Sequence, residues 1–147
     1  MKKRGIIGLL LFLFAAGYGN AQEWQTDFEQ AKTVATKDNK PIILVFQGSD
    51  WCAACIKLNK EIWRTTEFID YAKGHFVMLK ADFPRKKENV LSEKQQTQNN
   101  QLAERYNKSG YFPYVLVLDN KGTVLGATGY KKTSPKEYIK ILESFYL

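Results

Sequence analysis

Five consecutive apolar residues, IILVF at positions 42–46, separate two segments of helical pattern in the first half of the chain. Such an uninterrupted run predicts a strand buried on both faces, because a strand with one wet face would alternate apolar and polar residues. A strand of this kind needs a covering layer on each side. We therefore predict an α/β fold, with a mixed central β-sheet flanked by helices on both faces.

The neighbouring segments also alternate between helix and strand. Apolar residues recur at helical spacing from Trp24 to Asp38, and a helical pattern resumes at Cys52. A second helical piece follows and is predicted to end at Gly74, a residue suited to a helix C-terminus. Residues 75–82 are predicted to form the next buried strand.

The second half continues this alternation. A polar, Gln/Asn-rich segment, Pro84–Gln101, is predicted to pass from a loop into a helix that ends at Gly110. Residues 111–130 are predicted to form two strands around a hairpin turn. The last helix has Ser134 as its N-cap, followed by a proline. The predicted order is α-β-α-β-α-β-β-α, in one domain at residues 22–147.

The first 21 residues have the composition of a secretory signal. Three basic residues at positions 2–4 precede the apolar stretch GIIGLLLFLFAA and the small, polar sequence GYGNA. We expect cleavage after Ala21 and export to the periplasm or the medium. A permanent membrane anchor is the alternative, but the apolar stretch is short of the roughly 20 residues that span a bilayer. No cysteine follows the cleavage site directly, so a lipoprotein is not supported.

The charge of the chain does not call for a nucleic-acid partner. The formal net charge is +7, and three of these positive charges belong to the predicted signal, which leaves 7 − 3 = +4. The remaining basic residues are interspersed with acidic ones. A soluble, moderately basic surface explains them.

Cys52 and Cys55 are the only cysteines, and they fall where the buried strand gives way to a helix. Free N–H groups and the helix dipole at a helix start favour negative charge, which lowers the pKa of a thiol there. Two intervening residues allow the sulfurs to form a disulfide. This arrangement predicts thiol–disulfide exchange, in which one sulfur attacks and the other resolves the mixed disulfide.

Three other roles of the cysteine pair are open. A structural zinc site wants four ligands, and only His75 remains among cysteine and histidine residues. A purely structural disulfide would close too small a loop to constrain the unfolded chain much. Copper(I) binding by two thiolates is chemically feasible. We predict no metal and no dissociable cofactor, because the pair itself carries the electrons.

The segments FQGSDWCAACIKL, LKAD and YFPYVLVLDNKG, together with the closing helix, resemble the thioredoxin superfamily in the order that this family uses. The resemblance covers about Glu23 to Leu147. It implies that Pro113 is a cis-proline beside the disulfide, preceded by Phe112, where the backbone pairs with a substrate peptide. By residue pattern alone, Pro113 is equally compatible with a trans proline on an edge strand. Trp51 is either a substrate contact that shields the sulfurs or a packing residue.

The chain departs from the family pattern in two places. Ala53 and Ala54 stand between the cysteines where thioredoxins have Gly-Pro, and this dipeptide tunes the redox potential in the family. Thioredoxins also carry a buried aspartate paired with a lysine. An ungapped alignment puts Phe46 and Met78 at these positions, so we expect both ends of the polar pair to be replaced together.

The charges nearest the pair have two interpretations each. Lys57 could favour the thiolate and Asp50 oppose it, although solvated surface positions are the simpler interpretation. The segment Pro84–Gln101 is longer and more polar than its thioredoxin counterpart. It is either a specificity loop or, more simply, a tolerated insertion.

These observations predict an exported thiol–disulfide oxidoreductase, with reductase preferred over oxidase. Cys52 would attack, Cys55 would resolve, and Trp51, Phe112 and Pro113 would bind substrate. The expected partners are protein thiols or disulfides and an upstream redox partner, and the default oligomeric state is a monomer. The alternative is a non-enzymatic binding module or metallochaperone that uses the cysteines as ligands or as a structural disulfide.

Overall fold

The structure is a computed structural model that describes residues 21–147. The predicted signal peptide lies outside these residues apart from its last position, Ala21. Within the described part, no helix is both long and apolar enough to cross a bilayer. The elements are β1 (Trp24–Gln25), α1 (Phe28–Asp38), β2 (Ile42–Gln47), α2 (Ala53–Leu58), a π-helical turn (Asn59–Trp63), α3 (Thr66–His75), β3 (Val77–Asp82), a 3₁₀ turn (Lys87–Asn89), α4 (Glu93–Tyr106), β4 (Tyr114–Leu118), β5 (Val124–Thr128) and α5 (Pro135–Glu143).

The five strands form one mixed sheet in the order β1-β3-β2-β4-β5. Strands β1, β3 and β2 run parallel, and β4 and β5 are antiparallel to their neighbours. The predicted α/β architecture is therefore confirmed. Strand β2 lies at the centre of the sheet, which explains why all five residues of its apolar run are buried.

The side chains of β2 alternate between two apolar layers. Ile43 and Val45 pack against α2, α3 and α5, and Phe46 packs against α1 and α4 on the opposite face. This alternation corrects one expectation. Phe46 and Met78 are both fully buried, but they lie in different layers, so they cannot replace the two ends of one polar pair.

The first helix is shorter than its sequence pattern predicts. It begins after Asp27, whose carboxylate accepts a hydrogen bond from the Gln30 N–H at 2.8 Å as an N-cap. Trp24 belongs instead to β1, a strand of two residues that pairs with β3. So short a strand leaves no periodic signal in the sequence.

Several helices and strands also begin or end at residues other than those predicted. Helix α3 continues through Gly74 to His75, and β3 starts at Val77. Helix α4 ends at Tyr106 and not at Gly110, which adopts a positive φ in the turn that follows. The predicted cap of α5 is confirmed, because Ser134 accepts the Glu137 N–H and a proline opens the helix.

Candidate functional site

The two cysteines form a disulfide at the start of α2, as the sequence indicates. Cys52 is the N-cap and Cys55 lies in the first turn, with their Cα atoms 5.2 Å apart. The Cys55 N–H donates to the Cys52 sulfur over 3.2 Å. A backbone donor of the helix start therefore points at the first sulfur of the pair.

A tight turn brings the chain from β2 into this position. The N–H groups of Trp51 and Cys52 both donate to the carbonyl of Gly48. A side chain at position 48 would overlap the Trp51 indole, so the turn requires glycine for space. Ser49 is tied to the end of β3, because its N–H and hydroxyl both donate to the Asp82 carboxylate, at 2.9 and 2.6 Å.

Trp51 is fixed by contacts from distant parts of the chain. Its indole N–H donates to the Phe83 carbonyl at 2.7 Å, and the Arg85 guanidinium lies 3.7 Å from its ring centroid. The Phe112 ring meets the Trp51 ring edge-on, with centroids 5.5 Å apart, and also contacts Phe83. The tryptophan next to Cys52 thus joins an aromatic cluster with the residue that precedes Pro113.

The peptide bond between Phe112 and Pro113 is cis. Both residues are partly exposed, as is Trp51. Of the five predicted site residues, Cys52 and Cys55 are bonded to each other and Trp51 contacts Phe112, while Trp51 and Pro113 adjoin Cys52 and Phe112 in the chain.

Asp50 has a role that the sequence analysis did not consider. Its carboxylate accepts the N–H groups of Arg85 and Lys86 and the side-chain amide of Asn89, at 2.9 to 3.0 Å. The Asn89 and Arg85 hydrogen bonds lower the pKa of Asp50 from 3.8 to about 2. Lys57 is exposed on α2, and we find no hydrogen bond or ion pair of its ammonium group within residues 21–147.

A cleft of about 340 Å³ opens behind the disulfide on the α2 side of the sheet. Cys55 contributes to its wall, and the other lining residues are Trp24, Gln47, Ser49, Ile56, Asn59, Lys80 and Asp82. Sequence reasoning missed the polar members of this set. Strand alternation could have found two of them, because Gln47 and Lys80 share the face of Val45 and Met78.

The described residues offer no alternative centre for a metal. Among them, no three histidine, cysteine, aspartate or glutamate side chains come close enough together to hold an ion. The chemistry of this arrangement is that of a buried cysteine pair that interconverts between disulfide and dithiol.

Comparisons with known proteins agree with this geometry. The model of the thioredoxin-like domain family matches residues 28–146. "Disulfide bond reductase DsbH" of Chlamydia pneumoniae is 34% identical over 122 residues, which cover 83% of this chain and 71% of that protein.

Two solved structures extend the comparison. A structure titled "DsbH Oxidoreductase" superposes with a TM-score of 0.78 at 33% identity, covering 85% of this chain and 84% of the other. A thioredoxin from Thermus thermophilus shares the fold, with a TM-score of 0.62 at 16% identity. The superposition covers 84% of this chain and 86% of the thioredoxin chain. The chain belongs to the thioredoxin-like family and is a thiol–disulfide oxidoreductase.

Proposed function

We propose that the enzyme reduces protein disulfides in an exported compartment, with Cys52 as the attacking sulfur and Cys55 as the resolving one. The observation that carries the proposal is the position of Cys52 as the N-cap of α2, with the Cys55 N–H aimed at its sulfur. In the reduced enzyme, that amide and the helix dipole favour a thiolate at Cys52.

The exchange balances in two steps. The Cys52 thiolate attacks one sulfur of the substrate disulfide, forms a mixed disulfide and releases the other substrate sulfur as a thiolate. Cys55 then loses its proton and attacks the Cys52 sulfur, which releases the second substrate thiol and leaves the enzyme disulfide. Two electrons pass to the substrate, so a dithiol reductant must restore the enzyme for the next cycle.

Three further residues would hold the substrate during this exchange. Trp51 precedes Cys52 in the chain and its ring contacts that of Phe112, which Pro113 follows, and all three residues are partly exposed. In this proposal, the two rings cover the apolar part of a substrate peptide while the backbone next to Pro113 pairs with it. This restricts the approach of the substrate sulfur to Cys52.

The direction of electron flow is proposed from the relatives. Their names describe a disulfide bond reductase and an oxidoreductase. A reductase predicts a reduction potential near −270 mV, whereas a strong oxidant would have a potential near −120 mV. Equilibration with glutathione at known ratios measures this value.

Export is proposed from the leader sequence. The basic start, the apolar stretch and the Gly19-x-Ala21 pattern predict a mature protein that begins at Gln22. Fractionation followed by N-terminal sequencing of the full chain after expression tests this start. Gel filtration of the mature protein tests the expected monomer.

Insulin reduction with dithiothreitol tests the enzymatic role. We expect Cys52→Ser to abolish the acceleration, because no attacking thiolate remains. Cys55→Ser should instead trap the mixed disulfide, visible as an added substrate mass under non-reducing conditions. The control is Ala127→Ser at an exposed position of the edge strand β5, which leaves both thiols intact and should retain activity. Acceleration by Cys52→Ser equal to that of the native enzyme would show that the pair is a structural disulfide or a ligand set.

A further inference from the structure

The loop from Pro84 to Ser92, called here the anchored loop, is attached directly to the turn that carries the cysteine pair. The Asp50 carboxylate accepts hydrogen bonds from the N–H groups of Arg85 and Lys86 and from the Asn89 side chain. A single 3₁₀ turn, Lys87–Asn89, closes the loop upon itself. The loop is therefore held in place by Asp50, a residue only two positions before Cys52 in the chain.

This loop carries a run of positive charge. Arg85, Lys86 and Lys87 are consecutive and exposed, and within residues 21–147 none of them forms a salt bridge. The acidic groups beside them are Glu88 and Asp50, and the Asp50 oxygens are already occupied by N–H donors of the loop. The outer face of the loop therefore exposes three cationic side chains that form no salt bridge with any described residue.

The positive face is continuous with the proposed substrate site. The Arg85 guanidinium lies over the Trp51 ring, and the same ring contacts Phe112. An arginine stacked in this way keeps its N–H donors at the edge of the group, where they can bind a carboxylate. A peptide held at Trp51 and Phe112 would thus pass next to the anchored loop.

We propose that the anchored loop docks an acidic segment of the substrate polypeptide, next to the disulfide that is reduced. This inference rests on the proposed function and adds the class of substrate to it. The complementary charges raise the rate of encounter and orient the substrate cysteine towards Cys52. In this proposal the loop is a specificity element, which is the alternative interpretation of the segment Pro84–Gln101.

Short cyclic disulfide peptides test the proposal. Three such peptides should be identical except that the residues flanking one cysteine are Asp, Ser or Lys. The measurement is the second-order rate constant for thiol release by the reduced, full enzyme. We expect the native enzyme to prefer the Asp peptide over the Ser peptide and to disfavour the Lys peptide. This preference should shrink at about 0.5 M salt, because exposed charges are then screened over a few ångströms.

The double variant Lys86→Gln/Lys87→Gln should lower the rate with the Asp peptide about fivefold, because an exposed charge pair contributes up to about 1 kcal/mol. Its rate with the Ser peptide should fall by much less, so that the Asp-to-Ser ratio decreases. Charge reversal, Lys86→Glu/Lys87→Glu, should invert the order so that the Lys peptide reacts fastest. The substitutions leave the backbone N–H groups that bond to Asp50, so we expect both variants to fold, which circular dichroism checks.

The matched control is Lys37→Gln/Lys121→Gln, which removes the same charge at the opposite end of β2. Lys37 lies in the last turn of α1, and Lys121 lies in the β4–β5 turn, beyond the pairing of Ile42 with Leu118. An equal loss of Asp-peptide rate in this control would overturn the proposal, because net charge alone would then explain the preference. Equal Asp and Ser rates in the native enzyme would overturn it as well.

Failure of the proposed function would look different. A reduction potential close to that of a strong oxidant would refute the reductase direction, yet the Asp-to-Ser ratio would still be measured from oxidation of the dithiol peptides. Absence of exchange with every peptide, together with inactivity towards insulin, would overturn both proposals.

Discussion

At the scale of single residues, Asp50 links the stability of the chain to the shape of the site. It lies two positions before Cys52, yet its carboxylate bonds to residues 35 to 39 positions further along the chain. A charge so close to the cysteine pair would oppose a thiolate if it were free. Here its oxygens accept hydrogen bonds from N–H donors of the anchored loop. These bonds hold the loop in place and stabilise the negative charge of Asp50.

Replacement of Asp50 by asparagine should change how stability depends on pH. The folded state lowers the pKa of Asp50 from 3.8 to about 2, so the unfolded chain binds its proton first as the pH falls. The stabilisation by Asp50 is therefore fully present above about pH 4 and is lost between about pH 4 and 2. Urea unfolding across this range should show native protein and Asp50→Asn converging at low pH.

The control for this titration is Asp70→Asn. Asp70 is an exposed residue of α3 whose carboxylate accepts no hydrogen bond within the described residues. The difference in free energy of unfolding between the native protein and each variant is compared over the same pH range. If this difference changed as much for Asp70→Asn as for Asp50→Asn, the hydrogen bonds at Asp50 would not be the cause of the pH dependence.

At the scale of elements, helix α4 is held to the end of β3 by a buried amide. Asn99 is almost fully buried, and its side chain donates to the Asp82 carbonyl at 2.9 Å and accepts from the Gln95 amide. The Gln95 amide also donates to the Thr26 carbonyl. A helix with a polar, Gln/Asn-rich sequence is therefore packed through satisfied polar contacts as well as through Leu102.

Asn99→Ala should destabilise the fold by about 1–3 kcal/mol, because the Asp82 carbonyl loses the hydrogen bond from the buried Asn99 side chain. The loss should appear in the urea midpoint at constant slope. Asn100→Ala is the matched control, since Asn100 is exposed and, among the described residues, its side chain bonds only to Gln96, one turn away. An equal loss of unfolding free energy in the two variants would mean that the buried Asn99 amide adds nothing to stability beyond the effect of the substitution on helix propensity.

At the scale of the whole molecule, the central sheet separates two apolar layers with different tasks. The layer under α2, α3 and α5 supports the disulfide and borders the cleft behind Cys55. The layer under α1 and α4 contains Phe46, which stacks on Tyr114 with ring centroids 6.4 Å apart. Polar groups near the sulfurs are found on the first side, at Gln47 and Lys80.

Phe46→Asp tests this separation. Phe46 is fully buried and packs against apolar side chains, so the new carboxylate would be removed from water at that position. We expect a loss of at least about 3 kcal/mol in the free energy of unfolding at neutral pH. Phe46→Leu, which keeps the site apolar, should cost much less. A folded Phe46→Asp protein with native stability would show that position 46 has access to solvent or to a cation.

The sequence by itself determined the fold class, the location of the cysteine pair and the chemistry of the pair. These depend on local signals, namely the apolar run of β2, the turn residues behind it and two cysteines at a helix start. The caps of α5 and the hairpin between β4 and β5 are also local, and their prediction was correct apart from small shifts at the ends.

Only the tertiary structure decided what surrounds the sulfurs. Trp51 contacts Phe83, Arg85 and Phe112, and these residues lie 32 to 61 positions away in the chain. The face to which Met78 points depends on the register of β3 against β2. Strand β1 exists only because β3 offers it an edge to pair with. Contacts of this kind leave no periodic pattern in a single sequence, because they arise from the meeting of distant segments.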